Sequence, residues 1–88
     1  MPAVEYRFRR ADLEHTAPYP RVRDALSVAI RHLHDRNAVP LDVTYGGRLL
    51  LDAAAIARVY AACRAELEAD YWWRPGSLEA AARRELDR

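Results

Sequence analysis

Gly46 and Gly47 stand side by side between two runs rich in apolar and β-branched residues, Val39-Pro40-Leu41-Asp42-Val43-Thr44-Tyr45 and Arg48-Leu49-Leu50-Leu51. Adjacent glycines are what a tight turn between antiparallel strands demands, so residues 39–51 are predicted to form a β-hairpin. Two registers compete. A two-residue Gly46-Gly47 loop pairs Tyr45 with Arg48 and sets Leu50 with Val43, sending Leu49 and Leu51 to the opposite face. A three-residue loop with Gly47 left-handed in a bulge gathers Leu41, Val43, Leu49 and Leu51 on one face, and that apolar gain favours it.

The segments around the hairpin have their own periods. Val4, Tyr6 and Phe8 alternate with Glu5, Arg7 and Arg9, which predicts a half-buried strand over 4–9. Arg10 to Tyr19 reads as a connection with a turn of helix near Asp12–His15, because Pro18 and Pro20 stop anything longer. Over 20–36, Val22, Leu26, Ala29, Ile30 and Leu33 recur at three and four, the stripe of an amphipathic helix with Pro20 in its first turn. Asp52 is a good N-cap for a helix over 53–72, whose stripe is Ile56, Val59, Tyr60, Cys63, Leu67 and Tyr71. Arg74-Pro75-Gly76 breaks that helix. Ser77 then caps a last one over 77–87, with Leu78, Ala81, Ala82 and Leu86 on its narrow face and Glu79 placed to pair with Arg83. The expected fold is α+β, a small single domain over 1–88 in the order β-α-β-β-α-α. Its two- or three-stranded sheet carries a central glycine hairpin packed by amphipathic helices.

The core of such a fold is thin. Of 88 residues 51% are hydrophobic, but 17 of these are Ala, which supplies helix propensity more than burial. A domain this lean is commonly stabilised by disulfides, a metal or association. The single Cys removes the first and the lack of a ligand cluster argues against the second, so a homodimer or an accessory subunit of a larger complex is favoured. All 14 basic residues are Arg, which reads first as the codon bias of a GC-rich bacterial genome. Against 13 acids they leave a net charge of +1, far from the balance of a general nucleic-acid binder. No apolar run approaches membrane-spanning length and no signal-peptide pattern opens the chain, so a cytoplasmic protein with no membrane partner is expected.

Candidate chemistry is sparse, and neither a cofactor nor enzymatic activity is expected. His32 and His34 diverge by about 200° on one helix and cannot chelate one ion together. His15, beside Glu14 and Thr16 in a loop, has the setting for acid–base work or phosphoryl acceptance. Cys63 falls inside an apolar stripe, where a thiol acts as a small hydrophobe. Glu66 and Asp70 share a face as a weak acidic patch.

Three supersecondary patterns resemble known families. A strand, His15-Thr16-Ala17-Pro18, a helix and a glycine hairpin resemble the layout of histidine phosphocarrier proteins, with Ala17 where their motif has Arg; phosphoryl acceptance at His15 is what that resemblance implies. Pro40-Leu41-Asp42-Val43-Thr44-Tyr45-Gly46-Gly47-Arg48 is similar to the hairpin of Phd/YefM-type antitoxins, which implies a dimeric, operator-binding regulator. Helix, hairpin, helix, helix from Pro20 onward resembles the β-hairpin docking domains of modular synthases, which implies recognition of another chain.

The functional expectation rests on Tyr71, Trp72, Trp73 and Arg74. Neighbouring helical positions diverge by about 100°, so one indole on the core stripe leaves the other pointing elsewhere, and Trp is a frequent anchor of protein contacts. A small non-catalytic interaction or regulatory protein is therefore expected, with those four residues at its partner-binding surface. The alternative is a DNA-binding regulator of antitoxin type that uses a basic β-ribbon of Arg7, Arg9 and Arg48.

Overall fold

The computed structural model describes residues 3–70 and 75–88. Four strands and three helices follow the order β1 (Val4–Arg10), β2 (Leu13–Tyr19), α1 (Val22–Asp35), β3 (Val39–Tyr45), β4 (Arg48–Asp52), α2 (Ala53–Ala69) and α3 (Leu78–Leu86). The strands form one antiparallel sheet in the order β2-β1-β3-β4. The α+β class stands. The expected two- or three-stranded sheet is corrected to four strands, because the segment read as a connection is β2.

β2 forms for reasons its sequence half conceals. Ala11 and Asp12 both take positive φ, 51° and 64°, and make a two-residue turn that folds β2 back onto β1 with Arg10 opposite Leu13 and Val4 opposite Tyr19. Neither residue is Gly. Pro18, which argued against regular structure, sits opposite Glu5 on the outermost strand, the position where a sheet tolerates a residue that cannot donate.

The hairpin register combines the two expectations. Its tip is a two-residue loop, Gly46 at φ 57° and Gly47 at φ 80°, with Tyr45 opposite Arg48 and Thr44 opposite Leu49. Leu50 is then bulged, which brings Leu51 opposite Val43 and returns it to the inner face. Val43 and Leu51 are buried, and Leu49 is 57% exposed. The preferred three-residue loop is thus corrected. The bulge lies on the strand and not at the turn, so Leu49 leaves the core.

One face of the sheet receives all three helices. α1 packs against β1, β2 and β3, α2 against β3 and β4, and α3 against both other helices. Tyr6, Leu26, Ile30, Leu51, Ile56, Leu67 and Leu78 are the largest side chains shut away from water, each worth about 1.5–3 kcal/mol of transfer free energy. Buried Ala25, Ala29, Ala55, Ala81 and Ala82 join that core, where their small size allows the elements to approach closely. The alanine bias therefore serves packing as well as propensity.

The helix ends follow from specific groups. Asp52 caps α2 by accepting from the amide of Ala55 at 2.8 Å. α2 ends at Ala69 with Asp70 already extended, short of the expected residue 72. Ser77 precedes α3 but does not cap it; its hydroxyl donates to Ala62 O at 3.4 Å and approaches Cys63 Sγ at 3.5 Å. Glu66 of α2 takes over by accepting from the amides of Gly76 at 2.5 Å and Ser77 at 3.2 Å. Glu79 pairs with Arg23 of α1 at 2.6 Å, a cross-helix contact.

Candidate interaction face

Among the described residues no helix packs on the other side of the sheet. Glu5, Arg7 and Arg9 of β1 point there, since Val4 and Tyr6 between them are buried on the helix side. Directly opposite residues share a face, so Glu14, Thr16 and Pro18 of β2, Val39, Asp42 and Thr44 of β3 and Leu49 of β4 complete it. Val39 is 58% exposed and Leu49 57%. These two lie at opposite ends of the face, Val39 level with Arg9 and Leu49 level with Glu5.

Its central charge is met from within. The Arg7 guanidinium meets Asp42 at two points, Nε to Oδ1 at 3.4 Å and Nη2 to Oδ2 at 2.5 Å, and reaches Glu14 at 3.3 Å. Those carboxylates hold the Arg7 proton more tightly than usual, chiefly through the Asp42 hydrogen bond. Asp52 pairs with Asp42 in the register, but its carboxylate is turned into the cap of α2. Three acids, Glu5, Glu14 and Asp42, thus face two bases, Arg7 and Arg9.

The expected basic ribbon is divided by this geometry. Arg7 and Arg9 share the open face, whereas Arg48 lies opposite Tyr45, which lies opposite buried Val4, so Arg48 belongs to the helix side at the hairpin tip. Tyr71, Trp72, Trp73 and Arg74 lie outside the described residues.

A second cluster lies on the helix side. Nε2 of His32 is 3.2 Å from Arg10 Nη2 and Nδ1 is 2.9 Å from Tyr6 Oη. A guanidinium can only donate, so Nε2 accepts, and the neutral ring carries its proton on Nδ1 and donates it to Tyr6. Phe8 stacks on Tyr6 at 5.1 Å and on His15 at 5.2 Å, and Arg10 lies 5.6 Å above the Phe8 ring. Burial, and then the Arg10 charge, lower the His32 pKa, although Asp35 opposes them. Burial raises the Tyr6 hydroxyl above its ordinary value. Both groups are therefore held neutral near pH 7, the condition of a structural polar contact. Arg10 also donates to Asn37 O at 3.4 Å, tying the end of α1 to β1 beside a groove of about 450 Å³ lined by Arg9, Leu33, Arg36 and Val39.

The remaining candidates resolve singly. His32 turns to β1 and His34 to Tyr60 of α2 at 3.0 Å, so the two imidazoles diverge as their spacing predicts. His15 lies on β2, not in a loop. Cys63 is buried in the core, and burial pushes its thiol pKa up. Glu66, read as part of an acidic patch, has its pKa lowered by Ser77 and by the Gly76 and Ser77 amides that it caps. Among the described residues no group of three His, Cys, Asp or Glu side chains is placed to hold a metal, and no helix is long and apolar enough to cross a membrane.

Sequence reasoning put Arg7 and Arg9 on the outer face of β1 and missed the edge strand that completes that face. The missing signal was β2, whose Leu13, His15, Ala17 and Tyr19 alternate with Glu14, Thr16 and Pro18. Comparison with family models, with curated proteins and with solved structures gives no match.

Proposed function

We propose that the chain is a small non-catalytic protein-interaction or regulatory protein, acting as a homodimer or an accessory subunit, and that the open sheet face binds its protein partner. The observation that carries this reading is the open face itself: two large aliphatic side chains more than half exposed, around a central arginine whose charge is met by two carboxylates. Desolvating such a face costs less than desolvating one rich in unbalanced cations, and its exposed apolar area rewards a protein surface. The aromatic residue types at Tyr71, Trp72 and Trp73, with Arg74, support the same class of function from sequence alone.

A photo-crosslinking amino acid placed at Leu49 and, separately, at Arg64 on the exposed side of α2 tests the reading in the natural host. A discrete covalent adduct from position 49 and none from position 64 is expected. Equal, diffuse labelling at both positions overturns it.

A further inference from the structure

We infer that the occupant of the open sheet face is a second copy of this chain, packed face to face about a two-fold axis that crosses the strands at Arg7. The inference rests on the proposal that this face binds protein, and it names the partner. Such a rotation keeps each strand over its own copy and exchanges the two ends of the face. Glu5 then meets Arg9 of the second copy, twice, because the two residues lie two positions to either side of Arg7 on one strand. Arg9 has no ion-pair partner among the described residues, so the pairing displaces none of them. Leu49, level with Glu5 on β4, comes beside Val39 of the second copy, level with Arg9 on the neighbouring strand β3, again twice. At the axis Arg7 lies over Arg7 and Asp42 over Asp42 of the second copy, a like-charge approach that the Arg7–Asp42 pair within each chain, and the diagonal contact of each guanidinium with the other chain's carboxylate on the adjacent strand, offset. Thr16 meets Thr16. Exposed aliphatic side chains find each other and both acid–base sets are satisfied, which is the self-complementarity an isologous interface requires.

The size is adequate for a modest dimer. Four strands about 4.8 Å apart, three of seven residues and one of five, at about 3.4 Å per residue give a projected patch of roughly 420 Å². Two such patches with corrugated side chains bury close to the 1,000 Å² or so at which specific interfaces begin, which implies micromolar and not nanomolar association. A duplex nucleic acid is disfavoured on the same face, where three carboxylates oppose two guanidiniums.

Light scattering on size-separated protein over a dilution series, with absorbance at 260 and 280 nm, tests the inference. The expected result is a reversible dimer of twice 10.1 kDa, free of nucleic acid, that Leu49→Arg converts to a folded monomer and Leu86→Arg, at an exposed site on α3, does not. Arg9→Glu should weaken the dimer about tenfold, and Glu5→Arg combined with Arg9→Glu should recover most of that loss, as only a direct pair across the axis allows. A wild-type monomer at every concentration, a dimer indifferent to Leu49→Arg, or a charge-swapped variant as weak as Arg9→Glu each overturns the inference. The mass of the adduct from position 49 separates the two claims: an adduct to a different protein retains the face and removes the second copy, and no adduct removes both.

Discussion

Arg7 and Asp42 meet across β1 and β3 in a two-point contact, with Nη2 2.5 Å from Oδ2, at the middle of the sheet face opposite the helices. The pair decides the electrostatic character of that face. Without it, Arg7 and Arg9 make a basic stripe; with it, the face offers one cation without an ion-pair partner among the described residues.

A consequence concerns nucleic acid. One available guanidinium limits the number of phosphates the face can neutralise, so any binding of the wild-type protein to duplex DNA should show a log–log salt slope shallower than about −2. Asp42→Asn with Glu14→Gln releases Arg7 and should steepen that slope by about one unit. Fluorescence anisotropy of a labelled duplex across a salt series measures both.

The tautomer imposed on His32 gives a pH dependence. Its folded pKa lies below the ordinary value of 6.5, so between those values the unfolded chain binds more protons than the folded one. The contribution is complete above pH 6.5 and is lost progressively as pH falls below it toward the folded pKa. Denaturant midpoints at pH 7.5 and 5.5 should therefore differ, and His32→Gln, which cannot take up the proton, should narrow the difference.

Ala11 occupies a left-handed conformation, φ 51°, that costs a residue with a Cβ roughly 1 kcal/mol. Ala11→Gly should stabilise the fold by about 0.5–1 kcal/mol and raise the melting temperature by a few degrees, read by calorimetry. Asp12 in the same turn should gain less, because Asp tolerates this region better than Ala does.

Glu66 substitutes for the missing Ser77 cap, so its loss should act on α3 and not on the sheet. Glu66→Ala is expected to speed amide exchange at the start of α3, including Ala81, and to leave Tyr6 and Val43 protected. The folded carboxylate titrates below its ordinary value of 4.5, so this stabilisation is complete above about pH 4.5 and fades as pH falls through the lowered pKa.

Much of this fold is legible in the chain where one physical signal acts alone. The alternation of Val4, Tyr6 and Phe8 located β1, and the spacing of Leu26, Ala29 and Ile30 located the buried face of α1. Asp52 marked the start of α2 because an N-cap is a local device. β2 escaped because its turn uses Ala11 and Asp12 in place of glycine, and because Pro18 excludes a central strand but not an edge strand. The fate of Leu49 escaped for a related reason. Turn preference and core burial pull the hairpin into different registers, and a bulge at Leu50, which no local pattern announces, reconciles them. The candidate face was legible only in part: the alternation in β1 put Arg7 and Arg9 on its outer side, but the edge strand that brings Glu14 to Arg7 went unread.

Methyl spectra recorded on dilution of the wild-type protein test the central claim most directly, because four exposed aliphatic side chains serve as internal controls for one another. The account predicts that the Val39 and Leu49 methyl resonances move together with concentration, while those of Leu13 and Leu86 stay fixed. Movement at Leu13 or Leu86 with Val39 and Leu49 unchanged, or no movement at any of the four, contradicts association through the open face of the sheet.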